Sequence, residues 1–262
     1  MRLKILSAFA SALFLSACGG GGVEPLARYH PSSSASYSPA WSVKPSEATT
    51  AARNFEVHGI DVSKYQGDID WQAAHDGGVQ FAWIKATEGG DKADEKFRQN
   101  WEQAKAAGIP RGAYHFVYWC RTPQEQIRFF QQNVPVDPDA LPPVLDVELT
   151  PGSKSCPRTL YKDEIIGEMR TMLEAMERHF GKKPIIYSTV DFYEGILHPG
   201  ALTEYPIWVR STKYHPSVRY GSRRWHFWQY QSDAAIPGIR GKVDRNTFFG
   251  TQEQWSAYVN QK

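Results

Sequence analysis

Apolar runs near residues 57–61, 81–86, 112–116, 142–147, 184–188, 206–210 and 225–230, with a short last one at Val243, recur along the chain and read as eight strands. Between them the pattern changes to a helical period. Phe97, Trp101, Ala104 and Gly108 follow helical spacing, and Ile165, Ile166, Met169, Met172, Leu173, Met176 and Phe180 form an apolar stripe that stops at Gly181. Thr122-Pro123-Gln124-Glu125 carries the N-cap, first-turn proline and third-position Glu of a capping box, so another helix begins there. Strands alternating with helices predict an α/β fold, a single (β/α)-type barrel that is mostly parallel, TIM-like but irregular, with about eight strands. Residues 54–262 suffice for one sizeable core and make a second domain unnecessary.

The first residues follow a different pattern. Arg2 and Lys4 precede an apolar stretch from Ile5 to Leu15, too short to span a membrane but suited to the core of a secretory signal, so residues 1–17 are read as a signal peptide. Leu15-Ser16-Ala17-Cys18 resembles a bacterial lipobox, in which Cys18 would carry lipid. Residues 18–53 then read as the lipidated Cys and a Gly-, Ser-, Pro- and Ala-rich flexible linker with a root-mean-square span on the order of 30–35 Å, leaving 54–262 as the catalytic barrel domain. This predicts an exported, membrane-anchored lipoprotein. With Gly19 rather than Asp after the Cys, the outer membrane facing the periplasm is the expected location if the source has two membranes.

Composition narrows the chemistry. The formal charge is +2, and a leader carrying Arg2 and Lys4 accounts for all of it, which gives no footprint for a nucleic-acid binder. The basic run Arg219, Arg223 and Arg224 reads as a solvated loop. Eight His residues show neither His-Glu-x-x-His nor paired-Cys spacing, so no metal and no cofactor is expected.

The strand end Pro142-Pro143-Val144-Leu145-Asp146-Val147-Glu148 carries the chemistry instead. In a strand, residues i and i+2 face the same side about 6.6 Å apart, so Asp146 and Glu148 share one pocket. One can stay ionised while its charge and partial burial raise the pKa of the other, leaving a protonated acid near neutral pH, as glycosidic bond cleavage requires. Reacting groups of such barrels sit at the carboxyl ends of strands. Asp61 ends the first strand, Tyr114 and His115 lie within the third, and Asp244 follows the last. These acids converge only if the barrel closes, and the pattern predicts that closure.

Around this pair stand Gly59-Ile60-Asp61-Val62-Ser63-Lys64-Tyr65-Gln66-Gly67-Asp68-Ile69-Asp70-Trp71, Phe81-Ala82-Trp83-Ile84-Lys85-Ala86-Thr87-Glu88-Gly89, Arg111-Gly112-Ala113-Tyr114-His115-Phe116, Ile185-Ile186-Tyr187-Ser188, Trp228-Gln229-Tyr230 and Gly241-Lys242-Val243-Asp244-Arg245-Asn246. In this order, from about Val57 to Phe249, they resemble glycoside hydrolase family 25, the Chalaropsis-type lysozymes. The resemblance implies an N-acetylmuramidase that cuts the β-1,4 bond between N-acetylmuramic acid and N-acetylglucosamine in peptidoglycan, retaining and substrate-assisted. Glu148 matches the proton donor, Asp146 the residue that orients the sugar's N-acetyl group, and Asp61 and Asp244 the remaining acidic positions. Tyr114, Tyr187, Trp208 and Gln229 match pocket-lining positions, although Trp208, like Trp83, reads equally well as core. The expected partners are peptidoglycan glycan strands and, through Cys18, a membrane; the chain is expected to be a monomer.

Arg210 departs from the family pattern, where a small residue is expected after Trp208-Val209. Two other readings stay open. A chitinase-like hydrolase also uses an Asp-x-Glu strand end, though the fuller Asp series of that motif is absent. A non-catalytic wall-binding lipoprotein would not need Asp61, Asp146, Glu148 and Asp244 together. Cys120 follows the third strand and Cys156 the fourth, so neighbouring loops place them within reach of a disulfide in an oxidising compartment.

Overall fold

Each expected apolar run becomes a strand in the computed structural model, which describes residues 46–149 and 158–260. The strands are β1 (His58–Val62), β2 (Ala82–Glu88), β3 (Lys92–Ala93), β4 (Arg111–Phe116), β5 (Val144–Val147), β6 (Ile185–Ser188), β7 (Ile207–Arg210), β8 (Phe227–Ala234) and β9 (Val243–Phe248). They pair in the order β1-β9-β8-β7-β6-β5-β4-β2, and β1 pairs back onto β2, so eight strands close a barrel to which β3 adds a short arm. Within the closed barrel all neighbours are parallel except β9, which runs antiparallel to both β8 and β1, and the β3 arm is antiparallel to β2. A parallel return needs a crossover of a dozen or more residues, and residues 235–242 are too few. The last strand therefore reverses through a turn holding Gly238 and Gly241, both at positive φ.

The helices are α1 (Glu47–Ala52), α2 (Trp71–Asp76), α3 (Phe97–Ala106), α4 (Pro123–Asn133), α5 (Lys162–Phe180), α6 (Val190–Phe192), α7 (Ser217–Tyr220) and α8 (Gln252–Val259). The stripe on α5 is core as expected, with Ile165, Met169, Met172, Leu173 and Met176 all buried. The capping box also forms, Glu125 N–H donating to Thr122 Oγ1 and Thr122 N–H to Glu125 Oε2. Gly108 departs from its expected place on the α3 stripe: the helix ends at Ala106 and Gly108 turns the chain at φ 74°.

Strand alternation divides the core into two layers. On β2, Ala82, Ile84 and Ala86 face the helices, while Phe81 and Trp83 fill the barrel interior with Val144, Ile185, Trp208, Phe227 and Phe248. Trp255 of α8 closes the lower end, its ring 5.1 Å from that of Phe81. Large rings fit because two strand positions lack side chains. A Cβ at Gly59 would lie 2.4 Å from the Phe81 ring, and one at Gly112 would lie 2.6 Å from Trp83 Nε1.

The expected leash ends earlier than Arg53. Ser46 Oγ caps α1 by accepting from Thr49 N–H at 3.0 Å, and Ala48 and Ala52 pack into the outer core. Phe55 follows, its ring 5.3 Å from Trp225. Small Ala side chains carry little apolar signal, yet they let a helix lie close against the barrel wall. The expected signal segment, Cys18 and the expected linker before Ser46 lie outside the described residues. Cys120, on the loop after β4, is disulfide-bonded, and Cys156 lies outside the described residues.

Candidate active site

One mouth of the barrel gathers the acids. On β5, Val144 faces inward, Leu145 outward and Asp146 inward, and Glu148 continues the alternation one residue past the strand. Asp61 of β1 stands directly opposite Asp244 of β9 in the antiparallel register. Asp244 is thus the second residue of the last strand and does not follow it, as the sequence suggested. Because β9 runs backwards, its beginning lies at the end where the other strands finish. All four carboxylates line a cleft of about 630 Å³, together with Tyr114, Tyr187, Trp208 and Gln229. His115 does not join them. The next residue on a strand faces the other side, and His115 sits in the helix layer between Thr87 Oγ1 at 2.7 Å and Gln126 Oε1 at 3.2 Å. Burial pushes its imidazole down to about 4, which keeps it neutral.

Asp61 is held by a buried network. Its Oδ2 accepts from Gln229 Nε2 at 2.9 Å and from Asn246 Nδ2 at 2.8 Å. Tyr187 Oη donates to Gln229 Oε1 at 2.9 Å, and Trp208 Nε1 donates to Asn246 Oδ1 at 2.9 Å. An indole N–H can only donate, so it fixes which end of Asn246 faces Asp61. Gln229 therefore braces Asp61 and Tyr187. Trp208 serves in both of its expected roles: it lines the cleft and stacks on Trp83 at 4.8 Å, whereas Trp83 lies wholly in the core below.

Charge is expensive here. Burial, followed by the charge of Asp244, raises the Asp61 carboxyl to about 8. Burial, followed by the charge of Glu148, raises Asp146 well above the usual carboxylate range. Burial also raises Glu148 and Asp244, and the Arg210 guanidinium pulls both back down. Asp146 Oδ1 is buried and has no hydrogen-bond partner among the described residues. Tyr114 and Tyr187, desolvated and surrounded by carboxylates, stay protonated. The arrangement can hold a protonated acid beside an acceptor that awaits a donor.

Sequence reasoning assigned no role to Asn246 or Lys85. Lys85 lies two residues beyond the inward Trp83 and shares its face, a parity signal available from the strand pattern. Its Nζ is 2.9 Å from Glu88 Oε2 and 5.0 Å from the Phe116 ring centroid, and its charge eases the ionisation of Asp146. Asn246 acts through a contact that no local pattern encodes.

Comparison with known proteins agrees with this geometry. The profile described as Glycosyl hydrolases family 25 matches residues 60–239. The protein YegX of Escherichia coli is 39% identical over 212 residues, spanning 79% of this chain and 75% of that one. Lysozyme M1 of Streptomyces globisporus is 34% identical over 215 residues, spanning 78% and 71%. Among solved structures, a family 25 glycosyl hydrolase from Bacillus anthracis superposes with a TM-score of 0.72 at 36% identity, covering 79% of this chain and 94% of that one. The bacterial lysozyme from Streptomyces coelicolor gives 0.68 at 33% identity, with 78% and 97% covered.

Proposed function

Since the chain belongs to glycosyl hydrolases family 25, we propose that it hydrolyses peptidoglycan as an N-acetylmuramidase, cutting the β-1,4 bond between N-acetylmuramic acid and N-acetylglucosamine. The observation that carries this reading is the pair at the end of β5. Glu148, whose carboxyl burial raises above its ordinary range, faces the same cleft as Asp146, whose Oδ1 has no hydrogen-bond partner among the described residues. Glu148 gives its proton to the leaving glycosidic oxygen as the substrate's acetamido oxygen attacks its own anomeric carbon. While Glu148 carries its proton, the charge that opposes ionisation of Asp146 is absent and Lys85 favours its anion, so Asp146 accepts the acetamido N–H, orients that group and offsets the positive charge it develops. Glu148, now a carboxylate, takes a proton from the water that opens the cyclic intermediate. Two displacements at one carbon give net retention, a route known for glycosidases without a protein nucleophile. Asp61 and Asp244 set the charge of the pair and hold the sugar, whose faces pack on Tyr114, Tyr187 and Trp208.

Glu148→Gln tests the acid: the variant stays folded and loses roughly 10²- to 10⁴-fold in turnover, the worth of a positioned acid. Near-wild-type turnover in a folded variant removes the assignment. Purified protein incubated with peptidoglycan and with chitin, its new reducing ends read by mass spectrometry, tests the bond. A β-anomer as first product by NMR supports retention, and an α-anomer refutes it. We also propose that Cys18 carries lipid and confines the barrel as a monomer to wall polymer next to its membrane, the outer membrane facing the periplasm in a two-membrane cell. Lipobox-like spacing before Cys18 and the Gly run after it support this anchor.

A further inference from the structure

Arg210 ends β7 with its side chain in the cleft, in register with Gln229 of β8. Its backbone is pinned, because the Arg210 carbonyl oxygen accepts from Tyr220 Oη at 2.8 Å. The guanidinium is not pinned. Its charge is felt by Glu148 and Asp244, yet among the described residues it forms no ion pair and donates no hydrogen bond. The other cation lining the cleft, Lys85, is committed to Glu88 at 2.9 Å. Arg210 therefore brings an unspent planar fork of donors to a cleft otherwise rich in carboxylates, which would repel an anionic substrate. Such a fork matches a carboxylate bidentately.

We propose that Arg210 binds a carboxylate of the muramyl unit and makes the enzyme selective for glycan that carries one. The inference rests on the muramidase reading. In that substrate a carboxylate comes from one of two sources, the lactyl ether of a peptide-free muramic acid or the stem peptide attached to it. N-acetylglucosamine carries none.

The test crosses enzyme with substrate. Wild type, Arg210→Met and Arg210→Lys, each as the full chain, are assayed on peptide-free glycan strands and on strands with intact stem peptides. Both substrates are used before and after their carboxyls are converted to methylamides. Wild type should prefer the unmodified substrate by about ten- to a hundredfold in kcat/KM, mostly through KM, the scale of a charged hydrogen bond pair. Arg210→Met should lose that preference and Arg210→Lys keep part of it. A preference seen on peptide-free strands identifies the lactyl group, and one confined to peptide-bearing strands identifies the stem. The proposal falls if wild type cuts methylamidated glycan as well as unmodified glycan, or if Arg210→Met retains the preference. It also falls if Arg210→Met loses the same factor on every substrate with a shifted pH profile, since Arg210 would then act only through Glu148. If wild type cuts chitin but no muramyl glycan, the muramidase reading fails first and Arg210 with it.

Discussion

Replacing Asp61 with Asn removes a buried carboxyl that must hold its proton in the folded state at neutral pH, while keeping the shape that its hydrogen-bond partners grip. An Asn Oδ1 can stand where Asp61 Oδ2 accepts from Gln229 at 2.9 Å and Asn246 at 2.8 Å. Burial and the neighbouring Asp244 raise the carboxyl from 3.8 to about 8. The folded value lies above the unfolded one, so between them the native state holds the extra proton. Stability is full below the lower value and falls as pH rises toward the upper. At pH 7 the unfolded chain has released a proton that the folded chain retains. About 3 units above the unfolded pKa, at 1.36 kcal/mol per unit, the cost is about 4 kcal/mol. At pH 4 it is less than about 1 kcal/mol by the same relation. Asn carries no such cost. At roughly 2–4 °C per kcal/mol for a domain of this size, Asp61→Asn should raise Tm by roughly 8–16 °C at pH 7 and by a few degrees at most at pH 4. Scanning calorimetry of both proteins at pH 4, 5.5 and 7 reads the difference directly. Turnover should fall in the same variant, a gain in stability made at the expense of an acidic cleft. Equal Tm shifts at pH 4 and pH 7, or a variant less stable than wild type at pH 7, would refute the reasoning.

Gly59→Ala places a Cβ 2.4 Å from the Phe81 ring, which is itself boxed in by Trp83 at 5.3 Å and Trp255 at 5.1 Å. It should cost about 1–3 kcal/mol by overpacking, read as a lower urea midpoint; an unchanged midpoint contradicts the interior packing described. Cys18→Ser should move the protein from the detergent phase to the aqueous phase on phase separation, and unchanged partitioning removes the anchor. Denatured, unreduced, non-lipidated domain should show no reactive thiol if Cys120 pairs with Cys156; two alkylated cysteines would exclude that pairing.

What could be read from the chain was local. Asp146 and Glu148 share a face because side chains alternate along any strand, and Thr122 with Glu125 caps α4 because both partners lie within one turn. The same parity places Lys85 inside with Trp83 and sends His115 outside, away from Tyr114. Composition misjudged α1, because the small alanines that let it dock give the residue pattern of a linker. Tertiary structure decided the rest. Gln229 and Asn246 reach Asp61 across 168 and 185 residues, so their meeting depends on barrel closure and register. The reversed direction of β9, which brings Asp244 to the mouth opposite Asp61, follows from a connection too short for a crossover. Arg210 was visible as a departure, but its lack of a partner among the described residues could appear only once the side chains around it had positions. Alternation and caps are set by backbone geometry over a few residues, whereas partners, burial and shifted pKa values arise where distant segments meet.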